Sequence, residues 1–179
     1  MAEASRYDAG LIPTTVTYLE MTARPSLPRI RPLVRKLALM RAERPPISFY
    51  RYLYDAVGRK WLWVDRKRLD DHQLAAIIHD EQVAIHVLYA DGAPAGFVEL
   101  DFRRMPDANI NYFGLVPEWI GRKLGSYLLC WAIDEAWRHD PARLTVNTCT
   151  LDHPAALSLY QRFGFVPYDR HETLLDPNV

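Results

Sequence analysis

Residues 115–131 read Leu-Val-Pro-Glu-Trp-Ile-Gly-Arg-Lys-Leu-Gly-Ser-Tyr-Leu-Leu-Cys-Trp, and the fold turns on them. Before them, Asn109-Ile-Asn-Tyr-Phe-Gly-Leu-Val116 reads as a strand, ended by Pro117 because proline cannot donate to a ladder. After them, Leu124, Tyr127, Leu128 and Trp131 recur at helical spacing, so a helix is expected from near Gly121 to Arg138. A turn holding Gly121 and Gly125 leaves backbone N–H groups unpaired beside the positive end of the helix dipole. Such a turn suits a phosphate or pyrophosphate, although many strand–turn–helix units contain two glycines and bind nothing.

A second stretch, residues 143–166, reads Arg-Leu-Thr-Val-Asn-Thr-Cys-Thr-Leu-Asp-His-Pro-Ala-Ala-Leu-Ser-Leu-Tyr-Gln-Arg-Phe-Gly-Phe-Val. It predicts a β-branched strand at Leu144–Thr150, then a helix opened by Pro154 and closed by Gly164. Here the chain resembles the GNAT superfamily of acyl-CoA-dependent N-acyltransferases. Leu-x-Pro-Glu-Trp-x-Gly-x-x-x-Gly at 115–125 is similar to the family's pyrophosphate motif. Ala156-x-x-x-Tyr160-x-x-x-Gly164-Phe165 is similar to its second motif. With their flanking strands they cover residues 83–170, in the family's order.

The resemblance implies acetyl-CoA as co-substrate, no metal, and an amine of a small molecule or protein as acceptor. It implies a cofactor site built from Leu115, Val116, Gly121, Arg122, Lys123, Leu124, Gly125, Ser126, His153 and Tyr160. Family acceptors range from antibiotics and polyamines to amino acids and protein termini. The chain departs from the pattern at Ile120, where Arg or Gln is usual, and at Lys123, where Gly is usual. A side chain at 123 is tolerated if its φ is negative, since only positive φ demands glycine, and a lysine there can assist an anion. His153 stands where Asn is more frequent, with Asp152 as an alternative helix cap.

Acyl transfer from a thioester to an amine needs a neutral amine, donors for the oxyanion and a proton for the leaving thiolate. Backbone N–H groups near Leu115 and Val116 are the oxyanion candidates, and Gly114 is a place for the strand irregularity that would free them. Tyr160 matches the motif tyrosine that protonates the thiolate; its alternative is a core ring with a backbone-bonded hydroxyl. For the base, Glu99 sits on a strand expected to be covered on both faces, where burial raises a carboxylate's pKa. Alternation puts Phe97, Glu99 and Asp101 on one side and Val98, Leu100 and Phe102 on the other. His153, Glu118 and a base-free mechanism are the alternatives, because the next strand carries Asn109 and Asn111 in place of a carboxylate. His86 reads as a structural partner.

At 179 residues, 49% hydrophobic and with a formal net charge of zero, the chain reads as one globular domain. Cys130 and Cys149 read as reduced buried thiols rather than a disulfide framework. The absence of a long apolar run or a basic-then-apolar leader makes a cytoplasmic location the expectation and gives no membrane partner. Residues 29–68 carry twelve Lys/Arg against three Asp/Glu. Two rival readings follow: a catalytically silent acyl-CoA-binding module, and a nucleic-acid-associated protein acting through that basic segment. The neutral total counts against nucleic acid. A homodimer is left open.

In order, the sequence predicts an irregular arm at 1–15, a strand at Val16–Met21 and a helix at Ile30–Glu43 striped by Leu33, Leu37 and Met40. A helix at Ile47–Val57 stopping at Gly58 follows, and a short one at Leu69–His79. Phe49, Tyr50, Tyr52, Tyr54, Trp61 and Trp63 form an aromatic cluster read as core and pocket wall. Strands at Val83–Tyr89 and Ala95–Phe102 flank an Asp91-Gly92 hairpin turn. A last strand starts at Phe165. The expectation is an α/β (α+β) fold: a mixed, mostly antiparallel twisted sheet of six to seven strands with helices on both faces.

Overall fold

A computed structural model of the chain describes residues 10–178. Seven strands form one sheet: β1 (Ile12–Met21), β2 (Leu37–Arg41), β3 (Val83–Ala90), β4 (Ala93–Asp101), β5 (Asp107–Leu115), β6 (Arg143–Cys149) and β7 (Val166–Leu175). Their spatial order is β2-β3-β4-β5-β6-β1-β7, and every neighbouring pair is antiparallel except β5–β6. Four helices, α1 (Ile47–Gly58), α2 (Asp71–Ile78), α3 (Leu124–Trp137) and α4 (Ala156–Arg162), cover it from both faces.

Alternation along β4 builds the two layers. Val98, Leu100 and Phe102 pack toward α3, with Leu124, Leu128, Leu129 and Ile133. Phe97 packs toward α1, with Tyr50, Leu53, Tyr54 and Val57, a stripe at helical spacing. The β3–β4 turn is as the sequence predicts: Asp91 and Gly92 both have positive φ, 50° and 90°, matching the twist of the strands they join. Asp70 and Gln73 start α2 with a reciprocal capping box.

Three expectations are corrected. Residues 30–43 form no helix; Leu37–Arg41 is β2, paired with the edge of β3. Leu33 and Met40, two residues of the supposed buried stripe, are 67% and 59% exposed, and Pro32 removes a helical donor. Of the expected arm, residues 1–9 lie outside the described residues, while Ile12–Thr15 belong to β1 because β7 pairs with them. Gly58 is not a left-handed stop, since its φ is −94°. Its constraint is space, because a Cβ there would lie 2.5 Å from the Trp63 ring.

Candidate active site

β5 and β6 pair only from Asp107↔Arg143 to Ile110↔Val146, and then part. β5 continues against β4 through Leu115, so its other edge opens into a cleft of about 630 Å³. One residue, Asn111, is inserted in β5 between the pairs Leu100↔Ile110 and Glu99↔Tyr112, a β-bulge. The irregularity therefore lies at Asn111 and not at Gly114. Gly114 is needed for a different reason: a Cβ there would stand 2.5 Å from Val57 Cγ1, where α1 presses on the strand.

The ladder decides which amides face the opening. Val116 N–H donates to Ala95 O at 2.9 Å, so Val116 is not the free donor expected. By antiparallel alternation Gly114 and Tyr112 also turn toward β4, and the N–H groups of Phe113 and Leu115 turn toward the cleft. Leu115 keeps its candidate role; Phe113, which sequence reasoning missed, joins it.

At one end of the cleft, Ile120, Gly121, Lys123, Gly125 and Ser126 line the wall. The first helical bond of α3 runs from Tyr127 N–H to Lys123 O. Among the described residues, the N–H groups of Leu124, Gly125 and Ser126 have no protein acceptor, and no side chain caps the helix. Three open donors at the positive end of a fourteen-residue helix, beside a lysine, fit a pyrophosphate. Lys123 has φ 62°, so the condition under which a side chain is tolerated without strain is not met, and the chain holds a lysine in the conformation that favours glycine. Two residues of the expected set contribute only backbone. The Leu124 side chain is buried in the core, and the Arg122 guanidinium stacks 4.7 Å from the Trp119 ring centroid. Arg122 O accepts Leu33 N–H, tying the preceding irregular segment to this loop.

Tyr160 lies on the same cleft. Its ring packs against Phe113 and Phe165, each 6.0 Å between centroids. Among the described residues its hydroxyl has no hydrogen-bond partner, so the backbone-bonded alternative does not hold. Burial, reinforced by the charge of Asp152, keeps this phenol well above the ordinary tyrosine value and so protonated. His153 also lines the cleft, and its ring meets Trp61 edge-on at 5.2 Å. Asp152 accepts from Thr148 Oγ1 (2.8 Å), Cys149 N–H (2.9 Å) and Trp63 Nε1 (3.3 Å). It therefore ties the segment after α1 to the end of β6 and does not cap α4. Cys130 and Cys149 are free, and burial raises both thiols.

Glu99 lies behind the wall. It is fully buried, and its carboxylate accepts from Tyr50 Oη (2.5 Å), Arg66 Nη2 (2.6 Å) and Asn111 Nδ2 (2.7 Å). It does not line the cleft, nor does Glu118; Asn111 does. Arg66 also lies 5.1 Å from the Tyr112 ring centroid. The sequence marks Asn111 only as an amide in place of a carboxylate, and the bulge that brings it to Glu99 leaves no mark there. His86 is buried against Trp131 at 4.5 Å, its Nδ1 without a partner among the described residues. No group of three or more His, Cys, Asp or Glu among the described residues is placed to hold a metal ion.

A sequence model described as the acetyltransferase (GNAT) family matches residues 48–165. The chain belongs to this family. A putative [ribosomal protein bS18]-alanine N-acetyltransferase of Bacillus subtilis is 33% identical over 81 residues, covering 45% of this chain and 52% of that one. The chain thus spans about half the length of that curated relative. Among solved GNAT folds, the ribosomal-protein-S18-alanine N-acetyltransferase of Escherichia coli superimposes with a TM-score of 0.57 at 18% identity, over 72% of this chain and 77% of that one. A functionally unknown conserved protein of Staphylococcus epidermidis gives a TM-score of 0.62 at 16% identity, over 96% of this chain and 65% of that one. At these identities the structures share the fold. The seven-stranded, mostly antiparallel GNAT sheet is the one the motifs imply.

Proposed function

We propose that this chain, acting as a single domain, transfers an acetyl group from acetyl-CoA directly to an amine. The observation that carries the reading is convergence. The open donors at the start of α3, the freed amides of Phe113 and Leu115, and the unbonded Tyr160 hydroxyl all face one cleft. Leu124, Gly125, Ser126 and Lys123 would hold the pyrophosphate, and the thioester carries the acetyl group between them and the acceptor. The Leu115 and Phe113 N–H groups would donate to the thioester oxygen, a placement whose benefit grows as charge develops there. Tyr160 would give its proton to the departing sulfur. The protein-amine substrate in the names of the bS18 relatives supports a polypeptide α-amine among the acceptors. Among the described residues no helix is long and apolar enough to cross a membrane.

Calorimetric titration with acetyl-CoA and with dephospho-CoA tests the cofactor site. An acetylation assay on an alanine-initiated peptide, a polyamine and an aminoglycoside tests the reaction. Micromolar binding of acetyl-CoA with product from at least one amine is expected. Binding without product from any amine would favour the silent module, and no binding would refute the site.

A further inference from the structure

Around the β5–β6 opening, Glu99, Asp152 and His153 are already engaged. Glu99 is buried and holds three donors. Both oxygens of Asp152 accept hydrogen bonds. His153 Nδ1 accepts Ala155 N–H at 3.1 Å, so the neutral ring carries its proton on Nε2 and has no lone pair to offer. Asp65 and Asp176 also line the cleft, and both are exposed to solvent. What faces the opening is a neutral amide, Asn111.

The surroundings determine how that amide is turned. A carboxylate only accepts, so the atom 2.7 Å from Glu99 Oε1 is Nδ2, and Oδ1 points the other way. Asn109 Nδ2 approaches that oxygen at 3.4 Å, and the single Thr145 hydroxyl proton lies within reach of both Asn109 Oδ1 (3.0 Å) and Ala108 O (3.1 Å). The donors run in one direction, Asn109 to Asn111 to Glu99, the first bond polarising the second, which ends on a charge. Asn109 occupies one of the two lone pairs of Asn111 Oδ1, so this cleft-lining residue keeps the other.

We propose that Asn111 receives the acceptor, its Oδ1 accepting an N–H of the amine, and that the buried Glu99–Arg66 pair keeps that oxygen turned toward the cleft. This rests on the acetyltransferase reading. Glu99 is then a positioning residue and not the base. In the reaction the amine lone pair forms the C–N bond as the C–S bond breaks. The sulfur takes the Tyr160 proton, the nitrogen loses one to solvent, and Tyr160 regains one from solvent. Asn111 cannot take a proton, so the amine must arrive neutral. The site therefore suits amines that are partly neutral near pH 7, such as α-amines with pKa about 7.7–8.0, over lysine-like amines near about 10.4.

The test uses the amine turned over fastest in the panel above and an analogue of different basicity. Asn111→Ala, which keeps the Glu99–Arg66 pair, is expected to lower kcat/KM for the amine about tenfold and leave acetyl-CoA affinity unchanged. Glu99→Gln can present either end of its amide to Asn111, and should lower the same parameter several-fold. The double variant should fall no further than Asn111→Ala alone. The pH profile of kcat/KM should break at the pKa of each amine, moving when the amine is changed. Unchanged amine kinetics in Asn111→Ala, additive losses in the double variant, or a break at one fixed pH for both amines would each overturn the inference alone. A wild-type protein that binds acetyl-CoA but acetylates no amine would instead defeat the acetyltransferase reading, and this inference with it.

Discussion

Replacing Glu99 by leucine would isolate the energetics of the polar cluster under the cleft. Glu99 is fully buried and the Arg66 side chain only 10% exposed, so Glu99→Leu leaves a guanidinium with little water to replace its partner. The Tyr50 hydroxyl and the Asn111 amide lose an acceptor in the same step. Breaking a buried pair from one side costs about 3–5 kcal/mol, a large part of the roughly 5–15 kcal/mol that holds an ordinary domain folded. Replacing both charges removes the stranded ion. Glu99→Leu with Arg66→Met should return to within about 2 kcal/mol of wild type, the residue being the unsatisfied Tyr50 hydroxyl. Urea unfolding at neutral pH, followed by tryptophan fluorescence, gives all four corners of the cycle if the slopes agree. A single variant within about 1 kcal/mol of wild type, or a double variant less stable than the single, would refute the claim that the pair is dry and mutually dependent.

Four further outcomes are expected. Tyr160→Phe should slow turnover while leaving acetyl-CoA affinity as it is; unchanged turnover with acyl transfer rate-limiting would remove the acid role. His86 is held by burial, against the opposing charge of Glu135, at about 4 instead of its ordinary 6.5. Between those values the unfolded chain carries the extra proton, so stability should drop by about 3 kcal/mol as pH falls from 6.5 to 4 and stay flat above 6.5. His86→Leu should flatten that part of the curve, as denaturant midpoints across the range would show. Lys123→Gly relieves a left-handed lysine, and should raise the melting temperature slightly while weakening acetyl-CoA binding through the lost charge; calorimetry and a thermal melt separate the two. Gly114→Ala sets a methyl 2.5 Å from Val57 Cγ1 and should cost about 1–3 kcal/mol, read from the same urea curves.

Local chemistry made much of the fold readable. The Asp91-Gly92 turn, the stripe of α1 and the Gly164 closure after α4 each follow from a few neighbouring residues. The segment at 30–43 did not, because Leu37 and Leu39 also satisfy strand alternation, and the free edge of β3 decides in favour of pairing. In the candidate site, Gly121, Lys123, Gly125, Ser126, His153 and Tyr160, which the family resemblance implies for the cofactor site, all line the cleft. The partners of Glu99 could not. Arg66, Tyr50 and Asn111 come from three separate elements, and only the assembled sheet brings them within hydrogen-bond reach. The same holds for the Val116 amide, whose acceptor depends on strand register.

The bulge at Asn111 gives this part of the chain one residue of slack in length. β5 from Tyr112 onward has its alternation offset by one residue relative to Asp107–Ile110. Deleting Asn111 would leave the pairs Leu100↔Ile110 and Glu99↔Tyr112 adjacent in an unbroken ladder, so the Phe113 and Leu115 amides would still face the cleft and Gly114 would still lie beneath Val57, while the amide that meets Glu99 would be gone. A deletion elsewhere in β5 can also be taken up by losing the bulge, but the residues between the bulge and the deletion then change faces.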